Sequence, residues 1–420
     1  MRPLVRLVLP LLLVLIAGPA AATGLPAAKP EEVGLSAARL DRIGQTLRAD
    51  VERGRLPGAV VVVARRGRVA YSEAVGFRDK AANAPMTADA IFRIASMTKP
   101  MASVAAMMLS EEGRLLVSDP VGKYIPSIGA MKVGAVDAAG QITTSTPARP
   151  MTVQDLLRHT SGLTTGNRGT TEIHKLYPGS ATRVSRETTS AEFMERLAKA
   201  PLLHQPGTRW EYGLSTDVLG RVVEVVSGRT LGQFLDERVL KPLRMADTGF
   251  NVGADRRGRL AQSFANDPDT GKPVEIIDVT STATFECGGG CGVSTAGDYV
   301  RFGQMLLNHG TLDGVRLLGR KTVEYMTADH LTPEMAAGGE SYIPGAGYGF
   351  GLGFAVRRQP GLAPLNGSAG DYNWGGAYGT YFWVDPREQM VVVFMSQAPG
   401  PIRVHYRQLL KSLVLQAIAD

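Results

Sequence analysis

Strand-forming patterns lie near the two ends of this chain and helix-forming patterns lie mostly between them, which excludes a regular alternating βαβ protein. Gly58 to Ala64 (GAVVVVA) and Arg68 to Gly76 flank Arg65-Arg66-Gly67, the pattern of a β-hairpin. Strand patterns return at Tyr348 to Arg357, Gly376 to Val384 and Gln389 to Met395, with a turn at Asp385-Pro386-Arg387-Glu388 joining the last two. Helical spacing covers Leu35 to Val51, Ser96 to Glu112 and the C-terminal Leu409, Leu410, Leu413, Val414 and Ala417. Three further helices are marked by their ends: a capping box at Thr152-Val153-Gln154-Asp155, the stop Ser227-Gly228 after Ser215 to Val226, and a cap at Thr295 before a helix through Leu307. This order predicts an α+β protein with one antiparallel sheet, flanked by helices and built from both chain ends. The expected sheet domain is 31–115 with 285–420, and 116–284 forms a mostly helical insertion.

The chain is long and apolar enough, with 420 residues and 44% hydrophobic, to bury a large core, and so is not disordered. Residues 1–22 read as a signal peptide: Arg2 and Arg6 precede the apolar run Leu7 to Ala17, and Ala20-Ala21-Ala22 offers a small-residue cleavage site. The expected mature protein is exported, periplasmic or secreted, without a stable membrane anchor, since nothing else approaches the roughly 20 apolar residues of a span. Forty-six Lys and Arg face 39 Asp and Glu, and two of the arginines lie in the leader. The remaining basic residues are scattered, so nucleic acid is not an expected partner. Cys287 and Cys291 enclose three glycines; in an exported protein they are a candidate disulfide. The six histidines show no metal-binding spacing, and neither a metal nor another cofactor is expected.

A G-x-S-x-G elbow is absent, and with it the usual α/β-hydrolase triad. The chain instead holds one S-x-x-K, Ser96-Met97-Thr98-Lys99. Serine and lysine three apart on a helix share a face, so the amine reaches the hydroxyl. A serine at the helix start also aims N–H groups at a developing oxyanion. Alone, the motif is equally well a capping serine and a solvated lysine.

Further motifs follow in order: Leu157-Arg158-His159-Thr160-Ser161-Gly162-Leu163, Trp210-Glu211-Tyr212 with Leu219-Gly220, Cys287-Gly288-Gly289-Gly290-Cys291-Gly292, and Trp374-Gly375-Gly376. With Ser96 and Lys99 this set resembles the serine β-lactamase and penicillin-binding superfamily, and most of all the class C β-lactamases and family VIII carboxylesterases. The resemblance implies a β-lactamase/transpeptidase-like fold with Ser96 as acylated nucleophile, Lys99 as its proton-handling neighbour and Tyr212 in the place of the Y-x-N tyrosine. A phenol needs a nearby cation to act as a base, and Lys99 is the expected one. Leu214 replaces the asparagine of Y-x-N. Trp374-Gly375-Gly376 stands where the lactamases carry K-T-G, its glycines expected to let substrate approach a strand edge, and the N–H groups of Ser96 and Ala377 form the implied oxyanion hole. Trp374 supplies no cation for a lactam carboxylate, which turns the expectation towards a carboxylesterase acting on short-chain or amphipathic esters. The expected partner is a small-molecule ester or amide. A β-lactamase or D-alanyl-D-alanine peptidase is the alternative enzyme, and a silent cell-wall or penicillin-recognising module the alternative of another class. His159 is expected to be structural, bonding loop carbonyls at a helix end.

Overall fold

The computed structural model describes residues 24–337 and 342–420; the leader expected at 1–22 lies outside them. Helix α1 (Ala37–Glu52) leads into β1 (Gly58–Arg65) and β2 (Arg68–Asp79). Arg66 and Gly67 turn between these strands with φ of 54° and 74°. Two left-handed residues match the twist of an antiparallel pair, which is why the hairpin closes so tightly there. After β3 (Ala84–Pro85), strand β4 (Phe92–Ala95) runs into helix α2 (Thr98–Glu111).

The middle of the chain carries a hairpin that the sequence pattern does not announce, β5 (Val133–Val136) and β6 (Ile142–Ser145), mostly exposed beyond Gly134. It also carries α3 (Val153–Leu157) and α4 (Ser215–Ser227). Thr152 and Asp155 form the expected capping box on α3, and Gly228 ends α4 with φ 73°. Strand β7 (Gly292–Ser294) is followed by α5 (Ala296–Leu307), whose first turn is capped by the Thr295 side chain. A short hairpin, β8 (Thr311–Leu312) and β9 (Val315–Arg316), precedes the last strands. These are β10 (Tyr348–Phe350), β11 (Ala355–Arg357), β12 (Tyr372–Gly375), β13 (Tyr381–Asp385) and β14 (Met390–Ser396), and α6 (Ile402–Leu415) follows them.

The main sheet has eight strands in the order β10-β11-β12-β13-β14-β1-β2-β3, paired antiparallel throughout. Strand β1 sits between β14 and β2 with all its residues buried. Its even positions Val60, Val62 and Ala64 face the core that holds α2 and α5. Its odd positions Ala59, Val61 and Val63 face Leu40, Ile43 and Leu47 of α1 and Tyr406, Leu410 and Val414 of α6. Because both faces are covered, the strand reads as a continuous apolar run rather than an alternation. The architecture is the α+β sheet flanked by helices that the chain order implies.

Two strand expectations need correction. The segment Tyr348 to Arg357 is two strands, because Gly353 at φ 103° lets the chain reverse between Phe350 and Ala355. The segment Gly376 to Val384 begins as a turn: Gly376 N–H donates to Thr380 C=O at 2.8 Å, and Gly379 takes φ 106°. Trp374 therefore lies on β12 and Ala377 in the β12–β13 turn, off the hydrogen-bonded ladder.

Candidate active site

Strands β4 and β7 form a separate antiparallel ribbon in which Ala95 faces Gly292. Ala95 has φ 44°, a costly left-handed value for a residue with a Cβ, and it lies directly before Ser96. The sequence places Ser96 at the helix start; α2 begins instead at Thr98, so Ser96 stands in the turn ahead of it, its C=O accepting the Lys99 N–H at 3.1 Å. Thr98 fastens the helix start to the ribbon by donating to Ala95 C=O at 2.6 Å and accepting from Gly292 N–H at 2.9 Å.

Lys99 is 4% exposed. Its Nζ lies 3.4 Å from Ser96 Oγ, donates to Gly289 C=O at 2.5 Å and stands 4.6 Å from the centre of the Tyr212 ring. The Tyr212 hydroxyl donates to Ser96 Oγ at 2.6 Å. Three residues from separate motifs thus converge, and two hydroxyls at this distance can pass a proton in either direction.

The Tyr212 ring is held by His159, Trp210 and Trp374, at centroid distances of 5.0, 6.1 and 5.6 Å. His159 is buried with φ 59°, and its C=O accepts the Glu211 N–H at 2.8 Å. Its Nδ1 has no hydrogen-bond partner among the described residues, which corrects the expectation that the ring bonds loop carbonyls. The imidazole packs instead among Trp210, Tyr212 and Phe350. Burial, with the Lys99 charge nearby, holds its pKa well below the ordinary histidine value, so it is neutral.

Cys287 and Cys291 are joined in a disulfide, with Cα atoms 5.2 Å apart, and both are fully buried. The loop they close presents Gly289 to the site. Asp217 in the first turn of α4 accepts the Gly289 N–H at 2.9 Å. Burial pushes the Asp217 carboxyl up to about 6, against the opposing pull of Lys99 and that N–H.

The cleft has two limbs of about 710 and 360 Å³, and Ser96, Tyr212, Ala377 and Arg403 line both. Arg183, Arg186, Glu275 and Asp278 give the larger limb a charged wall. Pro344, Pro364, Leu365 and Trp374 make the smaller one more apolar. Gly375 and Gly376 border this smaller limb, but protein atoms explain why they are glycines. A Cβ on Gly375 would fall 2.5 Å from the Arg407 guanidinium carbon, and one on Gly376 would fall 2.3 Å from Ile94 C=O. Among the described residues, neither the Ser96 nor the Ala377 N–H donates to a protein acceptor.

Arg403 and Asp217 were not among the residues read from sequence, and Gly289 was read only as part of the glycine-rich motif between the two cysteines. Arg403 opens a helix after Pro401 with no motif around it. Asp217 in a first helical turn reads as an ordinary complement to the helix dipole. Among the described residues no group of His, Cys, Asp and Glu is placed to hold a metal ion.

A serine hydroxyl flanked by a buried lysine and a tyrosine at the junction of a two-limbed cleft is the equipment of a serine hydrolase. The chain belongs to the Beta-lactamase family, whose model matches residues 43–414. It is 38% identical over 369 residues to "Protein Rv1367c" of Mycobacterium tuberculosis, covering 85% of this chain and 90% of that one. It is 31% identical over 395 residues to "Esterase EstB" of Burkholderia gladioli, covering 88% and 94%. Among solved structures it superposes on "EstCE1, a hydrolase with promiscuous acyltransferase activity", with TM-score 0.76, 27% identity and coverage of 90% and 98%. The chain is thus a serine hydrolase of the β-lactamase superfamily with esterase relatives.

Proposed function

We propose that the protein is an exported carboxylesterase working through an acyl-enzyme on Ser96. The observation that carries the reading is the 2.6 Å contact between the Tyr212 hydroxyl and Ser96 Oγ, with the Lys99 ammonium beside both. In this reading Tyr212, its phenolate stabilised by Lys99, takes the Ser96 proton as Oγ attacks the ester carbonyl. The N–H groups of Ser96 and Ala377 receive the oxyanion. Tyr212 then gives the proton to the departing alkoxide, and water repeats the sequence on the acyl-enzyme to release the acid.

An ester is favoured over a lactam by Leu214 and Trp374, which replace an amide and a cation, and by the likeness to an esterase. The rival reading, a β-lactamase or D-alanyl peptidase, is supported by Arg403, which gives the junction of the limbs a cation after all. The ratio of kcat/KM for a short-chain aryl ester and a chromogenic cephalosporin separates the two. A ratio favouring the ester by orders of magnitude is expected, and one favouring the cephalosporin overturns the esterase reading. Intact-mass measurement after exposure to a fluorophosphonate locates the adduct, expected on Ser96. Export rests on the pattern of residues 1–22; the mature protein is expected to begin near Thr23 and to leave the cytoplasm, and cytosolic recovery with Met1 intact refutes it.

A further inference from the structure

We propose that Asp217 is a positioning residue for this site: through Gly289 it fixes the Lys99 amine that faces Ser96 and Tyr212, and it places a negative charge behind the loop that holds that amine. The inference rests on the Ser96, Lys99 and Tyr212 reading above. Its first support is geometric. Gly289 is gripped from two sides, its N–H by Asp217 Oδ1 at 2.9 Å and its C=O by Lys99 Nζ at 2.5 Å. A Cβ at position 289 would fall 2.3 Å from Asp217 Oδ2 and 2.6 Å from Oδ1, so only glycine allows the carboxylate to close on this peptide. The loop is also tied at both ends. The disulfide joins residues 287 and 291, and Gly292 N–H is bonded to Thr98 at the start of the helix that carries Lys99. The Lys99 amine is therefore steered by an acceptor that cannot drift without breaking the Asp217 bond.

The second support is the distribution of charge. Asp217 is 3% exposed and feels the Lys99 charge directly. The hydrogen-bond partners of Lys99, the Ser96 hydroxyl and the Gly289 carbonyl, are neutral. His159, whose ring also senses Lys99, is kept uncharged by burial. Arg168 acts on His159 and Arg403 on Tyr212, both as cations that oppose a second positive charge. An anion behind the loop offsets this excess of positive charge. With its pKa pushed to about 6, Asp217 carries this charge at neutral pH and loses it in mild acid.

The deciding variant is Asp217→Asn, which keeps a carbonyl oxygen for the Gly289 N–H and removes only the charge. Loss of an anion lowers the pKa of neighbouring acids, so the pH profile of kcat/KM is expected to move down by about half a pH unit or more. On the plateau kcat is expected to fall about tenfold with KM within about twofold. Asp217→Ala, which removes the hydrogen bond as well, is expected to fall further. A pH profile for Asp217→Asn that superimposes on the wild type overturns the proposal, whatever the variant's thermal stability. Ser96→Ala run in parallel keeps the two readings apart: turnover surviving in that variant refutes the Ser96 mechanism, whereas an inactive Ser96→Ala beside an unaltered Asp217→Asn refutes only the role of Asp217.

Discussion

Among the described residues two buried lysines, Lys99 and Lys411, stand beside tyrosines, and they differ in what the charge is given to do. Lys411 on α6 donates to Asp371 at 2.7 Å and to the Tyr348 hydroxyl at 3.2 Å. Arg357 closes the group, with Nε on the same carboxylate at 2.8 Å and Nη2 on the Tyr348 hydroxyl at 2.6 Å. Burial lowers the Lys411 pKa, with Asp371 opposing, and raises that of Tyr348. Every polar atom of that tyrosine is spoken for. Lys99, by contrast, has neutral acceptors and an aspartate reached through Gly289, and its tyrosine points at a serine in an open cleft. Burial of a cation becomes chemistry only where the charge is incompletely matched and a nucleophile stands beside it.

The largest expected effect is at the cleft. Ser96→Ala should reduce ester turnover by about 10⁴-fold or more while the thermal midpoint stays near wild type, since the change removes one hydroxyl from a half-buried position. Activity above that trace in a preparation free of wild type would break the comparison at once.

Asp371→Ala makes the opposite demand. It strands the buried Arg357 and Lys411 charges, so unfolding in denaturant should show a loss of about 3–5 kcal/mol. A loss below about 1 kcal/mol would mean that this cluster is not the closed ionic unit its distances describe.

The two tyrosines give a matched pair. Tyr212→Phe should lower kcat by about 100-fold with little change in KM, because it deletes the proton acceptor and keeps the ring. Tyr348→Phe should instead cost about 1–2 kcal/mol of stability and leave kcat within a few-fold. Equal kinetic effects from both changes would erase the distinction drawn here.

Trp374→Lys is the smallest. A new cation in the small limb should improve kcat/KM for a carboxylate-bearing cephalosporin relative to a neutral ester by about 1 kcal/mol, or roughly fivefold. Arg403 already lines that limb, which caps the gain, and loss of the indole against Tyr212 should lower esterase activity at the same time. A shift of the ratio towards the ester would show that Trp374 does not stand where a carboxylate binds.

Short-range features were legible without the structure. The β1–β2 hairpin, the capped starts of α3 and α5 and the stop at Gly228 depend on residues within a turn of one another, where hydrogen bonds and left-handed φ values follow local chemistry. The side-by-side placement of Ser96 and Lys99 has the same origin. The entry of Ser96 into a strained turn ahead of α2, rather than into its first residue, depended on the β4–β7 ribbon, whose strands lie about 200 residues apart along the chain.

What the sequence by itself determined was the class of fold, one sheet from both chain ends, and the chemical types present in the cleft, because hydrophobic period and motif order report burial and residue identity directly. What only the tertiary structure decided was which charges meet. Lys99 finds its acceptor 190 residues away and Asp217 finds the same glycine 72 residues away, while the Arg407 guanidinium packs against Gly375. Electrostatic and steric neighbours of this kind act over a few ångströms of space regardless of chain separation, so no local pattern encodes them.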